Sequence, residues 1–97
     1  MKLLLFFGVY DLYMLSLLDQ GLSLTDVARK LHLTQPAISQ RLSRLNYILG
    51  TYLHEKVGRG IQLTPAGKKL AVASRAAIKL LDLALPIQAE GSADRPN

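Results

Sequence analysis

The side chains with the most to offer chemically lie between Thr34 and Tyr47. Advancing 100° per residue from Ile38 puts Ile38, Leu42, Leu45 and Leu49 on one side of a helix and Pro36, Gln40, Ser43 and Tyr47 on the other, with Ala37, Ser39 and Arg44 on the flanks. The second face offers an amide, hydroxyls and short apolar groups near its start and positive charge further on. Such groups bond base edges and touch the thymine methyl in a major groove. Any solvated surface helix also presents a polar face, so this helix taken alone leaves both readings open.

Other chemistry finds little support. The two histidines, His32 and His54, fall in different elements, and neither has a second ligand at the short spacing a metal site needs. Gly58 and Gly60 lack the strand-to-helix context of a phosphate-binding loop. Ser39 and His32 could be drawn as half of a nucleophile pair, but no acid is placed to orient the histidine. We therefore expect no enzyme, no cofactor and no metal.

The polar face needs a scaffold, and the flanking sequence supplies one. Leu24, Val27, Ala28 and Leu31 follow the i, i+3, i+4, i+7 spacing of one buried helical face, with Ser23 as N-cap and Asp26 three residues on. Thr34 is placed to cap the next helix, and Pro36 fits a first turn that needs no backbone N–H. Only Leu33 and Thr34 remain between the two helices, the short break of a helix-turn-helix, and this pairing tips the balance toward DNA. Upstream, Leu12, Leu15 and Leu18 are expected to pack beneath the pair from a first helix that ends near Gln20 and Gly21.

Beyond Gly50 two short runs, Leu53 to Val57 and Ile61 to Thr64, flank Gly58-Arg59-Gly60 and read as a hairpin. Beside a recognition helix such a hairpin is a wing, and Arg59 at its tip is placed to meet phosphate or the minor groove, where an ordinary exposed turn arginine is the plainer reading. Thr64 and Pro65 open a last helix with apolar residues at Ala66, Leu70, Ala73, Ala77, Leu80 and Ala84, widened by Leu81 and Leu85. Alternating steps of four and three make a seam for another helix, and its alanines allow close approach. A second copy of the same helix is the expected partner, against the alternative of a helix packed only on its own domain. Pro86 ends the pattern, and the polar run 86–97 is expected to be a disordered tail or hinge.

Three motifs in order, Thr34-Gln35-Pro36-Ala37-Ile38-Ser39, Leu49-Gly50 and Leu63-Thr64-Pro65-Ala66-Gly67, resemble the N-terminal DNA-binding domain of LysR-type bacterial transcriptional regulators from residue 22 to about residue 85. The resemblance implies a mainly α fold: a three-helix core with a two-stranded wing over residues 1–64, then a linker and dimerisation helix over 65–85. It also implies sequence-specific binding of double-stranded DNA as a homodimer in the bacterial cytoplasm, with higher oligomers in a full-length regulator. An effector would enter only through a C-terminal domain. Gln35, Pro36, Ala37, Ser39 and Gln40 are expected near bases, and Thr25, Thr34, Arg41, Arg44, Arg59 and Lys68 near the backbone. Ala66, Leu70, Ala73, Ala77, Leu80, Leu81 and Ala84 are expected in the dimer seam. The chain departs from the family pattern at His32 in the turn, Asn46 and His54.

Composition bounds the rest. Ninety-seven residues make one small domain whose core is marginal, so burial against a partner subunit is a natural source of stability. The absence of cysteine excludes disulfides and thiolate metal sites and fits a reducing compartment. Net charge is +5, and between Leu24 and Arg75 nine Lys or Arg face only Asp26 and Glu55, which suits a polyanion. A winged helix with a basic face that binds an acidic protein is the alternative. The apolar opening, MKLLLFFGVYDLYMLSLL, lacks a small-residue cleavage site, and Asp11 inside it would cost a membrane span about 2.5 to 3.5 kcal/mol, so neither signal peptide nor membrane span is expected.

Overall fold

The computed structural model describes residues 7–85, so the run 86–97 and most of the stretch from Lys2 to Gly8 lie outside the described residues. Among these residues four helices and one hairpin follow in order: α1 Val9–Asp19, α2 Leu24–Leu31, α3 Gln35–Leu49, β1 His54–Val57, β2 Gly60–Leu63 and α4 Pro65–Ala84. The fold is a mainly helical winged helix-turn-helix, as the sequence predicts.

Local chemistry sets the helix boundaries. The hydroxyls of Ser23, Thr34 and Thr64 accept hydrogen bonds from the backbone N–H groups of Asp26, Ala37 and Gly67 at 3.1, 3.2 and 3.1 Å, satisfying donors that the helices themselves cannot. Three helices stop in one way, on a residue in the left-handed region: Gly21 at φ +95°, His32 at +58° and Gly50 at +67°. In each case the next N–H reaches back to close the last turn, Leu22 to the Leu17 carbonyl, Leu33 to Ala28 and Thr51 to Asn46. His32, a departure from the family pattern, thus stands where a glycine would be unstrained. Leu85, which precedes Pro86, is extended and ends α4.

Among the described residues twelve apolar side chains form the core: Met14, Leu15 and Leu18 from α1, Val27, Ala28 and Leu31 from α2, Ile38, Leu42 and Leu45 from α3, then Leu53, Leu63 and Ala71. The helix-turn-helix stripes are buried as expected, except that Leu24 and Leu49 are only half-buried at the margin. In α1 the inward face is Asp11, Met14, Leu15 and Leu18, and Leu12 is half-buried on the flank. Leu15 and Leu18 are buried as expected, and the correction is that Met14 takes the inward place expected of Leu12. α1 is apolar on nearly all sides, so spacing alone does not fix its rotation.

The strands also differ from expectation by a residue. His54, Glu55, Lys56 and Val57 pair antiparallel with Leu63, Gln62, Ile61 and Gly60, so Gly60 belongs to the ladder and Gly58-Arg59 alone make the turn. Gly58, at φ +60°, takes the first turn position, where a tight hairpin favours glycine. The base of the hairpin is tied to α4: Thr64 donates its N–H to the Leu53 carbonyl at 3.0 Å and its hydroxyl to the Tyr52 carbonyl at 2.7 Å. Gly67, in the first turn of α4, is buried directly against Leu53, and a Cβ there would overlap the Leu53 carbonyl oxygen. The last motif therefore needs glycine for close approach.

α4 has two working faces. Gly67, Ala71 and Ser74 are buried, and α4 packs chiefly along α1. The Ser74 hydroxyl donates to the Leu70 carbonyl at 2.8 Å, which satisfies it inside the core, and Arg75 reaches Asp19 of α1 at 3.0 Å. The expected seam lies on the other face. Ala66, Ala73, Leu80, Leu81 and Ala84 are exposed, Leu70 and Ala77 are half-buried, and the exposed Val72 and Leu83 widen the stripe. α4 thus packs on its own domain along one face and leaves an apolar stripe exposed on the other.

Candidate nucleic-acid interface

The first turns of α3 carry the polar face, and their position follows from the other side of the helix. Ile38, Leu42 and Leu45 are almost wholly buried, which fixes the rotation of α3 and turns Gln35, Pro36, Ser39 and Gln40 outward. Ala37, between the two faces, is half-buried. Thr34 uses its hydroxyl oxygen as the N-cap acceptor and keeps its O–H free to donate outward. Ser43 and Tyr47 continue the exposed face toward the C-terminal end.

The residues expected at phosphates fall in different places. Thr25 is exposed in the first turn of α2, where unpaired N–H groups favour an anion. Arg44 is exposed beside Ser43 on α3. Arg59 is exposed at the hairpin tip. Lys68 lies apart from the α3 face, in a hollow it lines with Asp19, Gly21, Ile61 and Gln62, where the end of α1 meets β2.

Arg41 is engaged inside the domain. Its guanidinium lies 3.2 Å from Asp11 Oδ1 and 5.3 Å from the centre of the Tyr10 ring. Asp11 is 1 % exposed, and its other oxygen accepts the Gly8 N–H at 2.9 Å. A buried carboxylate needs such partners. The signal for this pair was visible as a lone acid in an apolar run; its partner, thirty residues on, was not.

Asn46 and His54, two departures from the family pattern, meet in space. Asn46 Oδ1 accepts the Leu53 N–H at 2.9 Å, which turns its Nδ2 toward His54 Nδ1 at 3.4 Å. The ring then accepts at Nδ1 and carries its proton on Nε2. Partial burial holds the His54 pKa below its ordinary value by disfavouring the charged ring. This contact fastens the end of α3 to the start of the wing. At the start of α2, hydrogen bonding from Ser23 and then the Arg29 guanidinium at 3.0 Å lower the Asp26 pKa.

Among the described residues no group of three or more acids and histidines is arranged to hold a metal ion, and no helix is long and apolar enough to cross a membrane. The overall arrangement is a helix-turn-helix with its polar face outward, a basic wing beside it and a long helix behind.

Known proteins with this arrangement define the family. Residues 10–68 match the model of the lysR family of bacterial regulatory helix-turn-helix proteins. Over 60 residues the chain is 42% identical to the HTH-type transcriptional activator CmpR of Synechocystis sp., covering 62% of this chain and 20% of CmpR. Over 53 residues it is 40% identical to the HTH-type transcriptional regulator TfdS of Cupriavidus pinatubonensis, covering 55% of this chain and 18% of that regulator. Among solved structures, the CbnR_DBD–DNA complex superposes with a TM-score of 0.70 at 27% identity over 79% of this chain and 88% of that one. BenM_DBD bound to catB site 1 DNA gives 0.71 at 25% identity, over 79% and 86%. The chain belongs to the LysR family and carries that family's winged helix-turn-helix DNA-binding domain. It spans about a fifth of the length of the curated relatives it matches.

Proposed function

We propose that the chain binds double-stranded DNA sequence-specifically as a homodimer, with the start of α3 in the major groove. The observation that carries this reading is the outward face of Gln35, Pro36, Ser39 and Gln40 on a helix whose opposite side is locked into the core. Its likeness to CbnR_DBD and BenM_DBD, both solved on DNA, supports the same docking. Ala37 at the edge of that face is short enough to meet a thymine methyl. Thr25, Thr34, Arg44, Arg59 and Lys68 hold the backbone. Arg41 orients α3 through Asp11 and adds charge at the flank. No enzymatic role is assigned, and the chain works in the bacterial cytoplasm.

Dimerisation is assigned to the exposed face of α4, Ala66, Leu70, Ala73, Ala77, Leu80, Leu81 and Ala84. Leu80 and Leu83 are 66% and 77% exposed, apolar surface that a second copy would remove from water. A small-molecule effector would act through a further domain of a longer regulator, and higher oligomers would belong to that protein.

A gel-shift titration with random-sequence duplex at two salt concentrations tests the proposal. Counting Arg44, Arg59 and Lys68 on each of two protomers gives about six phosphate contacts, so affinity should fall about a thousandfold between roughly 50 and 200 mM salt. Absence of DNA binding alongside retention on an acidic protein would instead favour a protein-interaction module.

A further inference from the structure

The last turns of α3 and the loop leading into β1 enclose an open cleft of about 610 Å³, lined by Ser43, Asn46, Tyr47, Gly50, Thr51 and Tyr52. We propose that this cleft seats the sugar-phosphate strand running between the major groove and the wing, and that the Tyr47 and Tyr52 hydroxyls donate hydrogen bonds to its phosphates. This rests on the DNA-binding reading above and enlarges its contact surface.

Continuity with the α3 face comes first. Tyr47 stands seven residues beyond Gln40 on that face, about 10 Å along the axis at 1.5 Å per residue. A major groove is about 12 Å wide, so a side chain that far from the base-reading turn meets the groove wall, which is phosphodiester. With α3 in the groove and Arg59 beyond it, the intervening strand must cross the surface between α3 and the hairpin. The cleft lies at the α3 end of that surface, where the chain leaves α3 and runs toward β1.

Its chemistry suits a phosphate. Four of the six lining residues carry hydroxyls and none carries a carboxylate, so the cleft offers donors without repelling an anion. The Asn46 amide is already committed to Leu53 and His54. Tyr47 is 89% exposed and Tyr52 75%, high values for aromatic side chains, so both hydroxyls are open to a ligand. Both stand on fixed backbone: Tyr47 lies in the last turn of α3, and the Tyr52 carbonyl accepts the Thr64 hydroxyl at 2.7 Å. A tyrosine side chain on fixed backbone has only two χ angles to order on binding, which keeps the entropy cost low.

Tyr47→Phe and Tyr52→Phe remove only the hydroxyls and leave the fold untouched. Binding is measured to a random-sequence duplex and to a duplex selected from that pool by the unaltered chain, over a salt series. Each variant should bind both duplexes about three- to tenfold more weakly. The salt slope should stay unchanged, because a neutral donor displaces no counterion. Methylphosphonate at the phosphate under the cleft should abolish the difference between Tyr and Phe. If both variants bind as the unaltered chain does, the cleft assignment falls while the DNA-binding reading stands. If the unaltered chain binds no duplex, both fall. A loss confined to the selected duplex would overturn the phosphate assignment in favour of base contact.

Discussion

Arg41 and Asp11 show how one side chain can be spent on the fold while standing beside a binding face. The carboxylate is 1% exposed, and among the described residues it keeps only the Gly8 N–H if the guanidinium is removed. Stranding a buried charge costs about 3 to 5 kcal/mol, and the remaining hydrogen bond and partial exposure of Arg41 bring the expectation for Arg41→Ala to about 2 to 3 kcal/mol. Chemical denaturation should show that loss, and Asp11→Asn combined with Arg41→Met should recover much of it. Unchanged stability with weakened DNA binding would make Arg41 a phosphate contact only. His54 carries a second expectation. Its folded pKa is lowered by burial, so as pH falls through its ordinary value of about 6.5 the unfolded chain takes up the proton first. Stability should therefore drop below about pH 6.5, levelling once the folded ring is also charged. His54→Gln keeps an acceptor for the Asn46 amide and should flatten this dependence; an identical pH profile would place the acid sensitivity elsewhere.

At the scale of elements, Gly67 joins the last helix to the hairpin. Gly67→Ala would usually strengthen a helix, by about 1 kcal/mol, but here the methyl group meets the Leu53 carbonyl, which also accepts the Thr64 N–H. The variant should be destabilised by several kcal/mol through displacement of α4 from the loop; a thermal midpoint at or above that of the unaltered chain would contradict this packing. The same position marks the boundary of what the sequence could tell. Helix starts at Ser23, Thr34 and Thr64 were legible because a cap acts over three residues. Stops at Gly21 and Gly50 were legible because glycine suits a left-handed residue, and His32 hid the third by using another side chain there. The rotation of α1, the Asp11 to Arg41 pair and the need for glycine at 67 depend on elements far apart in the chain, and local spacing holds no record of them. The α3 face was legible because its buried stripe is regular, whereas Tyr52 carried no periodic signal and acquired a place only when the loop was folded against α3.

For the molecule as a whole, α4 both completes the domain and offers an apolar surface. Gly67, Ala71 and Ser74 face inward, so substitutions on the opposite side can separate association from folding. Leu80 and Leu81 are 66% and 47% exposed, and Leu80→Glu with Leu81→Glu should leave the domain folded yet give a monomer in sedimentation. Leu70 suits this less well, being half-buried against the core. A persistent dimer would move the interface away from α4. A monomer should also bind DNA more weakly, because the two protomers no longer share one site.

If α3 reads bases while the wing holds the backbone, paired binding curves for Gln40→Ala and Arg59→Ala separate the two roles most directly. Both are measured on the selected duplex and on a scrambled one over a salt series. A bidentate amide contact to a base edge is worth about 1 to 3 kcal/mol, so Gln40→Ala should lose preference for the selected duplex at one base position and keep its affinity for the scrambled one. Arg59→Ala should weaken binding to both alike and lower the salt slope by about one counterion per protomer. A Gln40→Ala protein that keeps the full preference of the unaltered chain would contradict the base-reading assignment, and an Arg59→Ala loss confined to the selected duplex would show that the wing reads sequence.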